Sequence, residues 1–131
     1  MSTTTGETAS TTTLIKWFDG PQKHDYPAAQ SYLSLTMKPE LVKKIVGALK
    51  KAQMTTFKSK DIFRASLLSL LGVSNSHVEK VRAEILAGQE ISPLLLYREK
   101  ATGRLIIADG YHRLCAVYKF HEDAMIPCKI V

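Results

Sequence analysis

Residues 109–113, Asp-Gly-Tyr-His-Arg, bring together the side chains best suited to bind and transform an anion. They follow the apolar run 105–108 and precede apolar residues at helical spacing, so we expect a strand that turns directly into a helix. The first N–H groups of a helix have no intrahelical partner and, together with the helix dipole, attract anions. The sequence therefore predicts an anion site at this turn, with phosphate as the first ligand to consider.

The first two residues of this segment each have two interpretations. Asp109 caps the new helix by accepting backbone N–H bonds, or it orients a substrate hydroxyl or holds Mg²⁺ beside a phosphate. Gly110 lets the backbone approach a ligand closely, or it serves only the turn. Under the functional interpretation, Asp109 is a catalytic residue and the one candidate metal ligand.

The basic side chains complete the predicted site. His112 donates to phosphate or acts as a general acid or base, although a solvated histidine is the commoner case. Arg113 makes a bidentate contact to phosphate or forms a surface ion pair. The backbone N–H groups from Gly110 through Tyr111 to Arg113 would cradle phosphate oxygens. The candidate catalytic residues are thus Asp109 and His112, and the candidate phosphate-binding residues are Gly110, Tyr111, His112 and Arg113.

A run of lysines is the second feature with chemical consequences. Residues 38–60 hold seven lysines and one acidic residue and account for the whole net charge of +6. Such a patch attracts nucleic acid, a polyphosphate ligand or an acidic protein, although a solvated helix face is the commoner explanation. Lysines in pairs one heptad apart form the candidate partner surface: Lys43, Lys44, Lys50 and Lys51.

The composition is that of one globular domain. The chain has 131 residues, of which 45% are hydrophobic and 23% charged. It contains neither an apolar run of membrane-spanning length nor a secretory signal, so we expect a cytoplasmic protein without membrane contacts. Cys115 and Cys128 are expected to be free thiols. The scattered histidines and the absence of dinucleotide and Walker A patterns lead us to expect no zinc, haem or flavin.

The N-terminal half must help to position the site. Residues 1–13, nearly all Ser, Thr, Gly and Ala, predict a disordered tail ahead of a single domain at 14–131. Residues 23–27 indicate a loop, and the period-two alternation of residues 31–35 predicts a strand. The next predicted elements are a helix from Pro39 to about Ala52 with an apolar stripe of Leu41, Val42, Ile45, Val46 and Leu49, a strand at 55–58 and a helix at 61–71.

The C-terminal half alternates strands and helices. Ser76 and Glu79 have the spacing of a capping box, which predicts the start of a helix that ends near Gly88. The further predicted elements are strand 91–97, a turn at Thr102-Gly103, strand 105–108, helix 111–120 and strand 125–131. We therefore expect an α/β (α+β) domain in which helices surround a small mixed sheet.

This order of elements, from residue 74 onward, resembles the ParB/sulfiredoxin-like superfamily. Residues 91–96, Ile-Ser-Pro-Leu-Leu-Leu, resemble its Pro-containing strand, and residues 110–116, Gly-Tyr-His-Arg-Leu-Cys-Ala, resemble its phosphate-binding turn. Residues 127–131 resemble the strand that follows. The resemblance covers somewhat under half of the chain, so the domain divides into a family-atypical part, 14–71, and a recognisable core, 74–131.

The resemblance implies a ParB/sulfiredoxin-like fold that binds a nucleotide, ATP or CTP with Mg²⁺, through Gly110, His112 and Arg113. Members of the superfamily hydrolyse CTP, repair a sulfinylated cysteine with ATP or phosphorylate free serine. A phosphotransferase or an NTPase is therefore implied, while catalysis itself stays open. Sulfiredoxins carry their catalytic cysteine just before the His-Arg pair, where this chain has Tyr111, so sulfiredoxin activity is not expected.

Three functions compete at this point. The first is a small cytoplasmic protein that binds a nucleotide or a phosphorylated small molecule. The second is a non-catalytic regulatory or partner-binding module that uses the lysine-rich face of residues 38–60, with the phosphate turn kept only as a helix cap. The third is non-specific nucleic-acid binding by the same lysines, which ranks lower because no helix-turn-helix or aromatic-interleaved basic stretch accompanies them.

Overall fold

The computed structural model describes residues 14–71 and 75–131. The predicted tail, 1–13, and residues 72–74, which follow the predicted helix 61–71, lie outside the described residues. The described elements are, in chain order, β1 (Lys16–Trp17), α1 (Asp25–Leu33), α2 (Pro39–Lys51), β2 (Thr55–Lys58), α3 (Ser59–Ser66), α4 (Ser76–Leu86), β3 (Glu90–Ile91), β4 (Leu94–Glu99), β5 (Arg104–Asp109), α5 (Tyr111–Phe120) and β6 (Met125–Ile130). The predicted mixed α/β architecture is confirmed.

Four strands form a mixed sheet in the order β2-β6-β4-β5. Strand β6 runs antiparallel to β2 and parallel to β4, and β4 and β5 form an antiparallel hairpin. The hairpin turn contains Gly103 at φ +71°, a conformation that favours glycine. Strands β1 and β3 pair in parallel as a separate two-stranded sheet.

Helices cover the four-stranded sheet on both faces. On one face Leu94, Leu96 and Ile107 pack in a core to which α3, α4 and α5 contribute. On the other face Leu95 and Ile106 pack against α1 and α2. Because side chains alternate along a strand, neighbouring residues of β4 enter different cores. The sheet is therefore the middle layer of three, and the first half of β4, residues 94–96, is apolar on both sides.

Helix α1 overturns two predictions, the loop at 23–27 and the strand at 31–35. Its buried residues are Asp25, Ala29 and Leu33, which are spaced four apart as on one side of a helix. The alternation that suggested a strand is misleading because Tyr32 and Leu35 are exposed. Two of the three buried positions hold a polar and a small residue. The large apolar residues of this segment therefore do not show a helical period.

The other helices match the sequence more closely. The prediction for α2 is confirmed, except that Leu41 is exposed rather than part of the buried stripe. Helix α3 starts before residue 61 and ends at Ser66, where Leu67 adopts φ +60°, so its predicted extension to 71 is wrong. None of the helices in the two described ranges is both long and apolar enough to cross a membrane.

The capping box predicted for α4 is wrong by one residue. The N-cap is Asn75, whose side chain accepts hydrogen bonds from the N–H groups of His77 and Val78 at 3.0 and 3.2 Å. Glu79 instead accepts from the guanidinium of Arg82 within the same helix. An asparagine serves the N-cap position as well as a serine does, and the alternative start lay one residue away.

The bounds of four further elements agree closely with the prediction. Strand β2 and helix α5 have the predicted bounds, and β5 and β6 agree with prediction to within one residue at each end. The predicted strand 91–97 is interrupted at Ser92-Pro93 and forms the separate strands β3 and β4. Cys115 and Cys128 are buried free thiols, as expected.

Gly110 occupies the most restricted glycine position described, and its substitution should be costly. Its φ is +107°, and a Cβ there would lie 2.8 Å from Leu94 Cγ and 3.0 Å from Arg113 Nη2. We expect Gly110→Ala to lower the free energy of unfolding by about 2–4 kcal/mol, from backbone strain and overpacking together. Urea denaturation measures this change.

Two other glycines provide matched controls. Gly103 has φ +71° but nothing within 4 Å of its Cβ position, so Gly103→Ala should cost only the backbone strain, about 1 kcal/mol. Gly47 lies within α2 with open space around it, so Gly47→Ala should stabilise by up to about 1 kcal/mol. If Gly110→Ala and Gly103→Ala lowered the free energy of unfolding equally, the contacts with Leu94 and Arg113 would not restrict residue 110.

Candidate functional site

The bend between β5 and α5 consists of Gly110 alone. Strand β5 ends at Asp109 and α5 begins at Tyr111, and the Leu114 N–H already donates to the Gly110 carbonyl at 2.9 Å. No side chain within the described ranges caps this helix. The interpretation of Asp109 as the helix cap is therefore wrong, and the N–H groups of the first turn have no partner within the helix.

Asp109 bonds Arg113 instead of the helix start. Arg113 Nη2 donates to Asp109 Oδ2 at 2.8 Å and also to the Pro93 carbonyl at 3.2 Å. The two side chains are 14% and 19% exposed, so the ion pair is largely shielded from water. The guanidinium is thus turned toward Asp109 and the backbone of the β3–β4 link. Its Nε is buried with no hydrogen-bond partner among the described residues.

Burial raises the pKa of Asp109 above the ordinary value of a carboxyl group, and this effect outweighs the attraction of Arg113. A second carboxylate, that of Asp25, also raises it. Asp25 is only 2% exposed and accepts a hydrogen bond from the Gln22 N–H at 2.8 Å. The helix α1 that the sequence did not predict therefore places an acidic neighbour beside the candidate catalytic carboxylate.

A cavity of about 360 Å³ opens at the N-terminal end of α5. All five residues of the predicted segment line it, so the structure brings Asp109, Gly110, Tyr111, His112 and Arg113 together at one site. The wall is otherwise built from three distant segments. Their polar residues include Gln22, His24, His77, Lys80, Glu84, Glu90 and Ser92.

The ring of His112 packs against that of a second histidine in the cavity wall. Its ring centroid lies 4.8 Å from that of His77, which sits in the first turn of α4. Burial, followed by the charges of His77 and Arg113, lowers the pKa of His112 below the usual value for histidine. No local sequence pattern marks His77 as a site residue, and only the packing of α4 against α5 shows its place in the site.

Other site residues were also not predicted, because no local pattern marks them. Ser92 is buried, and its hydroxyl donates to the side-chain oxygen of Gln22 at 2.7 Å, which fixes the loop before α1 against the β3–β4 link. Lys80 lies one turn after His77 on α4 and adds a cation to the wall. The N-terminal half of the chain thus contributes to the site through Gln22 and His24.

Tyr111 contributes through its backbone. Its hydroxyl donates to the Ser69 carbonyl, so the side chain is engaged in holding the segment after α3. Its phenol pKa is raised, mainly by burial. The N–H of Tyr111, at the first position of α5, is the group it offers to a ligand.

The start of α5 suits an anion better than a metal ion. The hydrogen-bond donors in the cavity are the helix N–H groups, the His112 imidazole and Lys80, while Glu84 and Glu90 add carboxylates to the wall. No cluster of three or more His, Cys, Asp or Glu side chains that could hold a metal occurs in residues 14–71 and 75–131. The Arg113 guanidinium already bonds Asp109 Oδ2, which leaves one carboxylate oxygen for a cation. The role of Asp109 as a Mg²⁺ ligand stays a prediction.

The lysine-rich run is not one continuous surface. Lys43, Lys44, Lys50 and Lys51 are all exposed on α2. Lys60 belongs to α3, which packs on the opposite face of the sheet, and its ammonium group pairs with Asp123 at 2.7 Å. The four α2 lysines therefore remain the candidate partner surface, separate from the cavity at α5.

Comparison with family models, curated proteins and solved structures found no match to this chain. The likeness of residues 74–131 to the ParB/sulfiredoxin-like superfamily therefore stays a prediction. What the site does must be argued from its geometry and chemistry.

The raised pKa of Asp109 predicts a specific pH dependence of stability. A carboxyl group whose folded-state pKa is raised stabilises the fold fully below its unfolded pKa, about 3.9, and loses that contribution as the pH rises through the folded value. Asp109→Asn removes this titration. The free energy of unfolding of the variant minus that of the wild type should therefore increase from pH 3.5 to neutral pH.

Urea denaturation at a series of pH values measures this difference. Asp19→Asn, at an exposed carboxylate, is the matched control. If the free-energy difference for Asp109→Asn decreased over the same pH range, the effect of Arg113 on the pKa of Asp109 would outweigh that of burial.

Proposed function

We propose that this protein binds a nucleotide or another phosphorylated small molecule at the N-terminus of α5, as a small cytoplasmic member of the ParB/sulfiredoxin-like type. The observation that carries the proposal is the uncapped first turn of α5 inside a polar cavity. A capping side chain would occupy the N–H groups that a phosphate needs. Here the nearest carboxylate, Asp109, is held by Arg113.

The order of elements supports the proposed family type. Helix α4, the strand after Pro93, the β4–β5 hairpin, the glycine bend, α5 and β6 follow one another in the order on which the resemblance rests. The bend is tight, since Gly110 at φ +107° separates strand from helix with a single residue. Such a bend lets a ligand approach the backbone closely.

Each part of the site has a defined role in this proposal. The N–H groups of Tyr111, His112 and Arg113 hold the phosphate oxygens, and the His112 imidazole donates a further hydrogen bond. Lys80 supplies the positive charge, because the charge of Arg113 is offset by Asp109. The Asp109–Arg113 ion pair fixes the bend rather than contacting the ligand.

His112 is the residue that we propose for catalysis, as phosphotransfer or nucleotide hydrolysis. Asp109 is hydrogen-bonded to Arg113, whereas His112 is partly exposed in the cavity. Because its pKa is lowered, the imidazole is neutral at pH 7 and can accept a proton from an attacking hydroxyl or water. Mg²⁺ bound with the nucleotide would neutralise phosphate charge.

Calorimetric titration with ATP, CTP and GTP in the presence of Mg²⁺ tests the proposal. We expect the wild type to bind at least one nucleotide, and we expect His112→Asn and Lys80→Gln each to weaken binding about tenfold, the loss of one charge-assisted hydrogen bond. Lys119→Gln, at the far end of α5, is the matched control and should bind like the wild type. Absence of wild-type binding at millimolar nucleotide refutes the proposal.

We also expect nucleotide binding to be linked to the uptake of protons. A phosphate beside His112 raises the pKa that burial had lowered, so binding near pH 6.5 should take up part of a proton, and affinity should increase as the pH falls toward that pKa. Repeating the calorimetry in buffers of different ionisation enthalpy measures the uptake. His112→Asn should abolish it, and uptake that survives this substitution would assign the proton to another group.

A second candidate function is partner binding by α2. None of its four lysines, Lys43, Lys44, Lys50 and Lys51, has a carboxylate within 4.0 Å among the described residues, so their charge is available to an acidic protein. Nucleic acid is the weaker alternative, and its binding should fall steeply with added salt. Reversal of all four charges should abolish capture of an acidic partner, and unchanged capture would exclude this surface.

A further inference from the structure

A second cavity, of about 480 Å³, lies at the other end of β5 from the proposed phosphate site. Leu105 lines this cavity and Asp109 lines the first. These two residues are roughly 14 Å apart along the strand, so the two cavities are distinct. Its lining differs in character, because apolar side chains form its floor and charged side chains its rim. The two cavities therefore suit different ligands.

The floor is apolar because the helices leave part of one sheet face uncovered. Residues of β2, β4, β5 and β6 on this face continue the pattern that elsewhere packs under α4 and α5. Helix α3 stops at Ser66, where Leu67 turns to φ +60°, and Phe57 is left 37% exposed. The floor consists of Phe57, Ile62, Ala65, Leu96, Leu105 and Ile130.

The rim carries three cations that have no carboxylate partner within 4.0 Å among the described residues: Arg98, Lys100 and Arg104. The two rim carboxylates are already engaged. Asp61 accepts from the Arg64 guanidinium at 2.6 Å, and Glu99 accepts from the Thr102 hydroxyl at 2.6 Å.

The Arg104 side chain adds an independent observation. Its Nε is buried and has no hydrogen-bond partner in residues 14–71 and 75–131. A buried donor without an acceptor is destabilising, so the protein does not fully satisfy this guanidinium. Arg104 Nε therefore lacks an acceptor, and the floor lacks an apolar cover.

We propose that this cavity binds an alkyl carboxylate, with its hydrocarbon chain on the apolar floor and its carboxylate among Arg98, Lys100 and Arg104. A neutral hydrocarbon would leave the guanidinium groups unpaired, and inorganic phosphate or acetate would leave the floor exposed. A volume of about 480 Å³ falls within the usual range for small-molecule sites, roughly 300–1,000 Å³. No covalent step is involved.

Calorimetric titration of the full chain with dodecanoate, below its micelle concentration, tests the proposal. Dodecanol and acetate are the matched ligands. We expect dodecanoate to bind, dodecanol to bind at least tenfold more weakly and acetate not to bind. Arg104→Gln should reduce the affinity for dodecanoate about tenfold and leave that for dodecanol unchanged, and Arg98→Gln, at an exposed position, makes the same test if the first variant does not fold.

Steric block of the cavity provides the site-specific test. Ala65 is exposed on α3 at the cavity, so Ala65→Trp should abolish dodecanoate binding. Ala48→Trp, at an exposed position of α2 on the opposite face of the sheet, should leave binding unchanged. The proposal is overturned if dodecanoate does not bind, if dodecanol binds equally well, or if the two tryptophan variants behave alike.

Discussion

The ion pair between Asp109 and Arg113 determines which groups at the start of α5 remain available to a ligand. An aspartate directly before a helix ordinarily accepts the first N–H bonds of that helix. Here its Oδ2 accepts from Arg113 Nη2 at 2.8 Å, and the same nitrogen reaches the Pro93 carbonyl. The pair links strand β5, helix α5 and the start of β4. Arg113 Nη2 also lies 3.0 Å from the position that a Cβ at residue 110 would occupy.

This constraint explains why the site is assembled from both halves of the chain. With the bend fixed, α4 packs against α5 and places His77 beside His112. The loop before α1 is held by Ser92 and by Asp25, so Gln22 and His24 complete the opposite wall. The N-terminal half therefore belongs to the site, although it carries no recognisable motif.

Local patterns were strong enough to predict the elements that carry the site. Strand β5, the glycine bend and α5 follow from an apolar run, a single Asp-Gly pair and a helical apolar period in continuous sequence. Helix α1 could not be predicted in this way, because its buried face includes Asp25, and an aspartate in a sequence ordinarily indicates an exposed position. The Pro93 carbonyl beside Arg113 and the His77 ring beside His112 were equally hidden, since they depend on packing between distant segments rather than on spacing.

The account stands on the availability of the first N–H groups of α5, and amide NMR measures these groups directly. Titration of ¹⁵N-labelled protein with inorganic phosphate should shift the amide resonances of Tyr111, His112 and Arg113 first and most, in a saturable manner. It should leave the amide resonances of α2, which lies on the other face of the sheet, unchanged. Uniformly small shifts, or shifts centred on the α2 lysines, would contradict the account.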